Sequence, residues 1–330
     1  VRRTLGPALL VVALVGCAPA GDTRPTFSSE TTATDAVVPT PPSPTATPAP
    51  TAAPTPTPAP VPIAARPMPV TRPELISALT ETEEAIRSPA VDDATATEWG
   101  QRQQRLYSVL AENPQWEPEV LAGVSDEVRL GVQQNLAARR AFTSLVKSET
   151  LADTLPAWQL REPLPATELI GYYREAEAQT GIPWPYLAAI NLVETRMGRI
   201  EGLSTASATG PMQFLPSTWA ECCEGDPTVD RDAIIGAGVY LNRSGGPEDM
   251  QTALYRYNNS DAYVEGVTAY AEVIADNELA YRGYHAWRVY FLSAAGLILM
   301  PSDYYEPEPV RAEDWLADHP DALVAPPEDS

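Results

Sequence analysis

Histidine is almost absent. Among 330 residues there are two, His285 and His319, and neither lies near a candidate nucleophile, so a Ser-His or Cys-His triad has little support. Cysteine is nearly as scarce: Cys17 stands alone, and Cys222 and Cys223 are neighbours. Adjacent Cα atoms are about 3.8 Å apart, below the usual disulfide range, so a bond within that pair is expected to be strained. Nor can two cysteines by themselves build a tetrahedral metal site. Positive charge is short as well. The 22 Lys and Arg face 44 Asp and Glu, giving a net charge of −22, or −24 once Arg2 and Arg3 leave with an N-terminal signal. Nucleic acid and anionic membrane surfaces are bound through Lys and Arg, so this balance argues against both as partners. Strand signals are sparse, and the run from Val289 to Met300 has only 12 residues. It is too short to span a membrane and reads as a buried strand pair or a core helix.

What the front of the chain has is an export signal. Arg2 and Arg3 precede an apolar run from Leu5 to Val15, which ends in Leu14-Val15-Gly16-Cys17. A short basic region, about ten apolar residues and a small residue before the cut fit a secretory signal. The terminal Cys makes it a lipoprotein-type signal, residues 1–17, with Cys17 as the lipidation site; an ordinary signal with an incidental Cys is the alternative. Acyl chains contribute roughly 0.8 kcal/mol per buried CH₂, so two or three would hold the protein at the outer face of the cell membrane.

Residues 18–72 are rich in Pro, Thr, Ala and Ser. Too few large apolar residues are present to offset chain entropy, so the segment reads as a disordered, polyproline-like spacer. At about 3.1 Å per residue it would reach on the order of 100 Å or more when extended. A ligand for a Pro-binding domain and a Thr-rich glycosylation target are the alternatives.

Beyond it lie 258 residues, enough for one large or two small domains. Three helices are expected over 73–87, 97–112 and 125–146, the last with Ser125 as cap and an acidic first turn. They form a helical accessory region, 73–160, without a catalytic constellation. More helices are expected at 167–179, 183–197, 216–221, 231–242, 247–257 and 260–276, with Gly181 and Gly198 placed to stop the first two. The fold class is thus mainly α. An acidic tail, 306–330, would follow a catalytic domain at 161–305.

The sharpest chemical signal is Glu194, inside the apolar stretch from Pro183 to Gly198. At 3.6 residues per turn it shares a face with Leu187, Ile190 and Asn191, which directs its carboxylate into packing rather than water. A desolvated glutamate holds its proton near neutral pH, as a general acid must. A buried pair with Arg196 or Arg199 is the competing reading, but those lie on other helix faces.

Three ordered blocks, Val193-Glu194-Thr195, then Ser204 to Phe214 (S-x5-G-P-M-Q-F), then Tyr255 to Ser260 (Y-R-Y-N-N-S), resemble the lytic transglycosylases of the lysozyme superfamily. The resemblance covers about residues 166–300, with Thr195 where Ser is usual and Pro211 inside the G-x-M-Q block. It implies a lysozyme-like catalytic domain of goose-type or soluble-transglycosylase kind, with Glu194 catalytic. Ser204, Gln213, Tyr257 and Asn258 would be substrate-binding, Ser204 and Gln213 by hydrogen-bonding to Glu194 and the sugar. Gly210 and Met212 would shape the cleft, while Tyr255 and Tyr263 read as core aromatics.

The implied activity is cleavage of the β-1,4 bond between N-acetylmuramic acid and N-acetylglucosamine in peptidoglycan, leaving 1,6-anhydro ends. The glycan strands are the partner, no cofactor or metal is needed, and the −22 charge gives no steering towards the polymer. A hydrolytic muramidase would need a second carboxylate, for which Glu201, Asp226 and Asp261 are unmarked candidates. A catalytically weak wall-binding scaffold lipoprotein is the alternative from another class. Asp226, Asp230 and Asp232 lack the glycine and terminal Glu of a calcium loop and read as a turn in which Asp230 or Asp232 caps the next helix.

Overall fold

A computed structural model describes residues 62–146, 151–204 and 206–326. Cys17 and most of the 18–72 spacer lie outside the described residues, which are mainly α-helical.

The accessory region contains α1 (Arg72–Arg87), α2 (Asp93–Glu112), α3 (Glu117–Gly123) and α4 (Asp126–Thr143). Helix α1 starts with a reciprocal capping box between Thr71 and Glu74, with Pro73 in its first turn, which satisfies two orphan N–H groups. Helix α2 begins four residues earlier than expected because Asp92 accepts the Thr95 N–H as a cap. Ser125 does precede α4, but its hydroxyl donates to Glu84 instead of capping the helix. Leu75, Leu79, Leu106, Leu110, Val128, Val132 and Leu136 form the core of this region. Each such side chain contributes about 1.5–3 kcal/mol when fully buried.

The region does not stand apart. Phe142 of α4 stacks on Tyr270 at 6.0 Å, on α10 (Asp261–Asp276). A buried polar network also crosses the junction. Glu83, fully buried, pairs with Arg87 and accepts from Gln103 and Tyr107. Trp287 donates to Gln103 (2.9 Å) and Tyr284 to Asn135 (2.8 Å).

The larger core is built by α5 (Ala166–Thr180), α6 (Trp184–Thr195), α7 (Pro216–Cys222), α8 (Asp230–Arg243), α9 (Met250–Tyr257), α10 and the short α11 (Tyr281–His285). Gly181 closes α5 at φ +76, the left-handed cap that glycine permits. Helix α6 stops before Gly198: Arg196 is already left-handed, followed by Met197 at φ +61 and Gly198 at φ +79.

Two expectations need correction. The 306–330 segment is not simply a tail. Val310–Arg311 (β6) pairs antiparallel with Thr154–Leu155 (β1), and α12 (Ala312–Asp318) buries Trp315 in a third core with Trp158 and Phe291. Leu323–Ala325 (β7) adds to the hairpin of Tyr290–Ser293 (β4) and Gly296–Leu299 (β5). That hairpin resolves the Val289–Met300 run as a strand pair, because Gly296 turns it at φ +116. The remaining strands, Gln159–Leu160 (β2) and Ile200–Glu201 (β3), pair with each other.

Second, neither Asp230 nor Asp232 caps α8; Val229 is the cap and both lie in the first turn. There they suit the positive end of the helix dipole. Asp230 is buried against Arg161 at 2.8 Å, and Asp232 accepts the Asp226 N–H.

Candidate active site

Ten of the twelve residues of α6 are buried, the exceptions being Tyr186 and Glu194. Such a helix is held by packing on every side, so its one carboxylate is fixed in place by its neighbours. Leu187, Ile190 and Asn191 are each 0% exposed, and Glu194 reaches the surface only in part.

Burial pushes the Glu194 carboxyl up from its ordinary value near 4.5 to about 7, against a smaller lowering effect of a hydrogen bond from Tyr263. The Tyr263 hydroxyl donates to Oε1 at 2.8 Å. Tyr263 is itself buried, and burial, reinforced by the charge of Glu194, holds its phenol well above the ordinary range, so it remains a donor. Among the described residues Glu194 makes no ion pair. Arg196 donates to the Leu192 carbonyl at 2.8 Å, and Arg199 pairs with Glu162 at 2.8 Å.

The Gly210–Gln213 loop is fastened beside Glu194 from two sides. Thr195 and Asn191 of α6 both donate to the Pro211 carbonyl, at 2.7 and 2.9 Å, and Tyr257 donates to the Met212 carbonyl at 2.7 Å. Thr195 thus uses the hydroxyl that Ser would offer, and Pro211 contributes a carbonyl that any residue would supply. Thr209 and Phe214 bond each other's backbone at 2.9 and 3.0 Å across the loop. Gly210 is required there: φ is +75, and an added Cβ would lie 1.8 Å from the Pro227 oxygen.

All four non-glycine residues with left-handed φ among the described residues fall here, Arg196, Met197, Ser207 and Gln213. Each costs of order 1–3 kcal/mol, and such strain gathers at functional sites.

The sequence-predicted residues separate on this frame. Tyr257 stacks on Tyr263 at 6.2 Å with rings 8° apart, which brings it to Glu194 through its neighbour. Asn258 ends α9, half-buried, with its side-chain amide outside the hydrogen bonds made among the described residues. Ser204 and Gln213 are not bonded to Glu194. The Ser204 hydroxyl accepts the N–H groups of Ala206 and Ala208 at 3.2 and 3.0 Å, and Gln213 Nε2 donates to the Gly210 carbonyl at 3.0 Å.

The support expected from them comes instead from Tyr263, a residue read as a core aromatic. Its signal was legible: Ser260 caps α10 by accepting the Tyr263 N–H, which places Tyr263 in the first turn. Tyr255 is 41% exposed and does not belong to the core.

Of the possible second carboxylates, Asp226 is held below its ordinary range by the Thr228 hydroxyl and N–H, and Glu201 lies 2.9 Å from Arg161 Nε. Cys222 and Cys223 are bonded to each other across a Cα separation of 3.7 Å. They close α7, and pack on the core with Trp219.

Comparison with known proteins adds no neighbour to this geometry: no family model, no curated protein and no solved structure matches the chain.

Proposed function

We propose that this chain is a peptidoglycan lytic transglycosylase with a lysozyme-like catalytic domain, anchored through a lipidated Cys17 outside the cell membrane. The observation that carries the reading is the Glu194–Tyr263 pair. One carboxyl poised at about 7 is close to half protonated at neutral pH, so it serves as acid and then as base.

Protonated Glu194 gives its proton to the glycosidic oxygen as the bond from the muramic C1 breaks. The carboxylate left behind is stabilised by the Tyr263 hydroxyl at 2.8 Å, a charge-assisted bond that strengthens as charge develops. The same carboxylate then takes the proton of the muramic C6 hydroxyl, and O6 closes on C1. No water is consumed and Glu194 ends protonated. A hydrolytic muramidase would need a partner carboxylate free to activate water; of the three candidates Asp226 is committed to its turn, Glu201 pairs with Arg161, and Asp261 stands exposed in the first turn of α10 in a depression with Gln134 and Gln251. With the net charge at −22, recognition of the glycan falls to hydrogen bonds and aromatic contacts, with Asn258 as the candidate contact, since the Tyr257 hydroxyl already donates to the Met212 carbonyl.

The test is mass spectrometry of released muropeptides. Wild-type digests are expected to carry 1,6-anhydro ends, about 18 Da lighter than hydrolysed ends, and Glu194→Gln to release almost none while still binding glycan. Predominantly water-added ends would replace this reading with the muramidase.

A further inference from the structure

Basic residues are scarce in this chain, yet Arg161, Arg199 and Arg288 line one cleft of about 200 Å³. It lies where three parts of the fold meet. Helix α2 contributes Thr97 and Gln101, the segments next to β2 and β3 contribute Arg161 and Arg199, and the β4–β5 hairpin region contributes Arg288 and Ser302.

Arg288 is held by its backbone alone. Gln104 of α2, 4% exposed, accepts the Arg288 N–H at 2.9 Å and donates to its carbonyl at 3.0 Å. The residue is half-buried, and its guanidinium forms neither ion pair nor hydrogen bond among the described residues. The two arginines beside it differ. Arg161 is committed through Nη2, which pairs with the buried Asp230 at 2.8 Å, while its Nε lies 2.9 Å from Glu201 without a hydrogen bond. Arg199 is held less firmly: Nη2 donates to the His285 carbonyl at 3.1 Å, and Nη1 meets Glu162, whose side chain is 72% exposed. An ion pair with so exposed a partner is weak, because water and salt screen it. An arriving anion can therefore take the place of Glu162 at little cost, and desolvated guanidinium groups match carboxylate and phosphate oxygens as a planar fork.

We propose that this cleft is a subsite for an oxyanion carried by the polymer that Glu194 cuts, with Arg288 the main contact, Arg199 the second, and Thr97, Gln101 and Ser302 as neutral donors. This rests on the transglycosylase reading. Arg199 follows Glu194 by five residues, so their Cα atoms lie at most about 18 Å apart. The oxyanion is either a stem-peptide carboxylate or a phosphate of a polymer attached to the glycan. In a chain of net charge −22, such a site would let an acidic enzyme hold an acidic substrate in one register.

The experiment compares Arg288→Ala and Arg288→Lys with wild type, as full chains, on untreated glycan, on glycan stripped of stem peptides and on glycan stripped of phosphate polymer. KM for untreated glycan is expected to rise about tenfold in Arg288→Ala, about 1.4 kcal/mol, with kcat much less affected and Arg288→Lys intermediate. The stripping that removes this difference between variant and wild type identifies the source. A second readout does not need turnover: calorimetric titration of Glu194→Gln protein with untreated glycan, with and without Arg288→Ala. An equal KM penalty on all three substrates, or unchanged binding in the titration, overturns the subsite. Weakened binding in the titration with no 1,6-anhydro product from wild type would overturn the transglycosylase reading and leave the subsite standing.

Discussion

Replacing Tyr263 with Phe removes one oxygen from a stacked, fully buried ring and leaves its packing on Tyr257 intact. The lost hydroxyl is the hydrogen bond that favours the ionised form of Glu194, so the variant should hold its proton to higher pH. A hydrogen bond to a charged group is worth about 1.5–3 kcal/mol, and about 1.4 kcal/mol moves a pKa by one. Part of this stabilisation is recovered by relaxation, so a displacement of about one pH unit is expected, from about 7 towards 8. Because the acid form starts the reaction, wild-type kcat/KM should fall as pH rises through about 7, and in Tyr263→Phe that limb should fall about one unit later. The maximal rate should drop by about tenfold or more, since the carboxylate formed in mid-reaction loses its donor. The assay is the kcat/KM profile from pH 5 to 9, by quantifying 1,6-anhydro muropeptides. An unmoved limb, or one displaced to lower pH, would refute the account of how Glu194 is tuned.

The same pKa makes a stability prediction. Since the folded value of Glu194 is raised, its favourable contribution is complete below about 4.5 and lost as pH rises to about 7, a difference of about 3 kcal/mol. In urea unfolding, Glu194→Gln should match wild type near pH 4.5 and be the more stable protein at pH 8. Gly210→Ala should lower the melting temperature and abolish activity, because a Cβ 1.8 Å from the Pro227 oxygen forces the loop off Asn191 and Thr195; calorimetry with an activity assay checks both. Arg87→Ala leaves Glu83 buried without its ion partner and should cost about 3–5 kcal/mol by denaturant titration, more than replacing both residues by leucine. Cys17→Ala should leave the membrane fraction of cells, since no helix among the described residues is long and apolar enough to cross a bilayer.

Helix positions were legible because their apolar spacing is regular, and most ends were set by local signals. Helix α3 was not expected, since its seven residues begin right after Pro114-Gln115-Trp116 and carry one fully buried side chain, Val120. Residues 306–326 read as a tail because their acidic composition hides the few residues that matter, Val310, Trp315 and Ala325, whose partners lie far back in the chain. Glu194 was legible as a carboxylate inside an apolar run. The roles of Ser204 and Gln213 were not, because a hydroxyl or amide can turn to its own backbone, a choice that motif spacing does not encode. The arginine cleft was invisible for a different reason: residues 161, 199 and 288 become neighbours only through pairing of β2 with β3 and the docking of α2.

The pairing of β6 with β1 joins Thr154 to Arg311 and so encloses the stretch that carries Glu194, Tyr257 and Tyr263 in one loop. Closing a loop of about 157 residues costs roughly 4–5 kcal/mol of chain entropy beyond a constant. That cost falls before the closing contacts can repay it, which slows folding. The strand that follows Glu194 leans on β2, and β2 in turn bridges to Tyr305. The backbone just beyond Glu194 is therefore supported, through β2, by Tyr305, a residue more than a hundred positions downstream. Contacts between residues so far apart in sequence form late, so the surroundings of Glu194 should be among the last parts of the fold to become ordered.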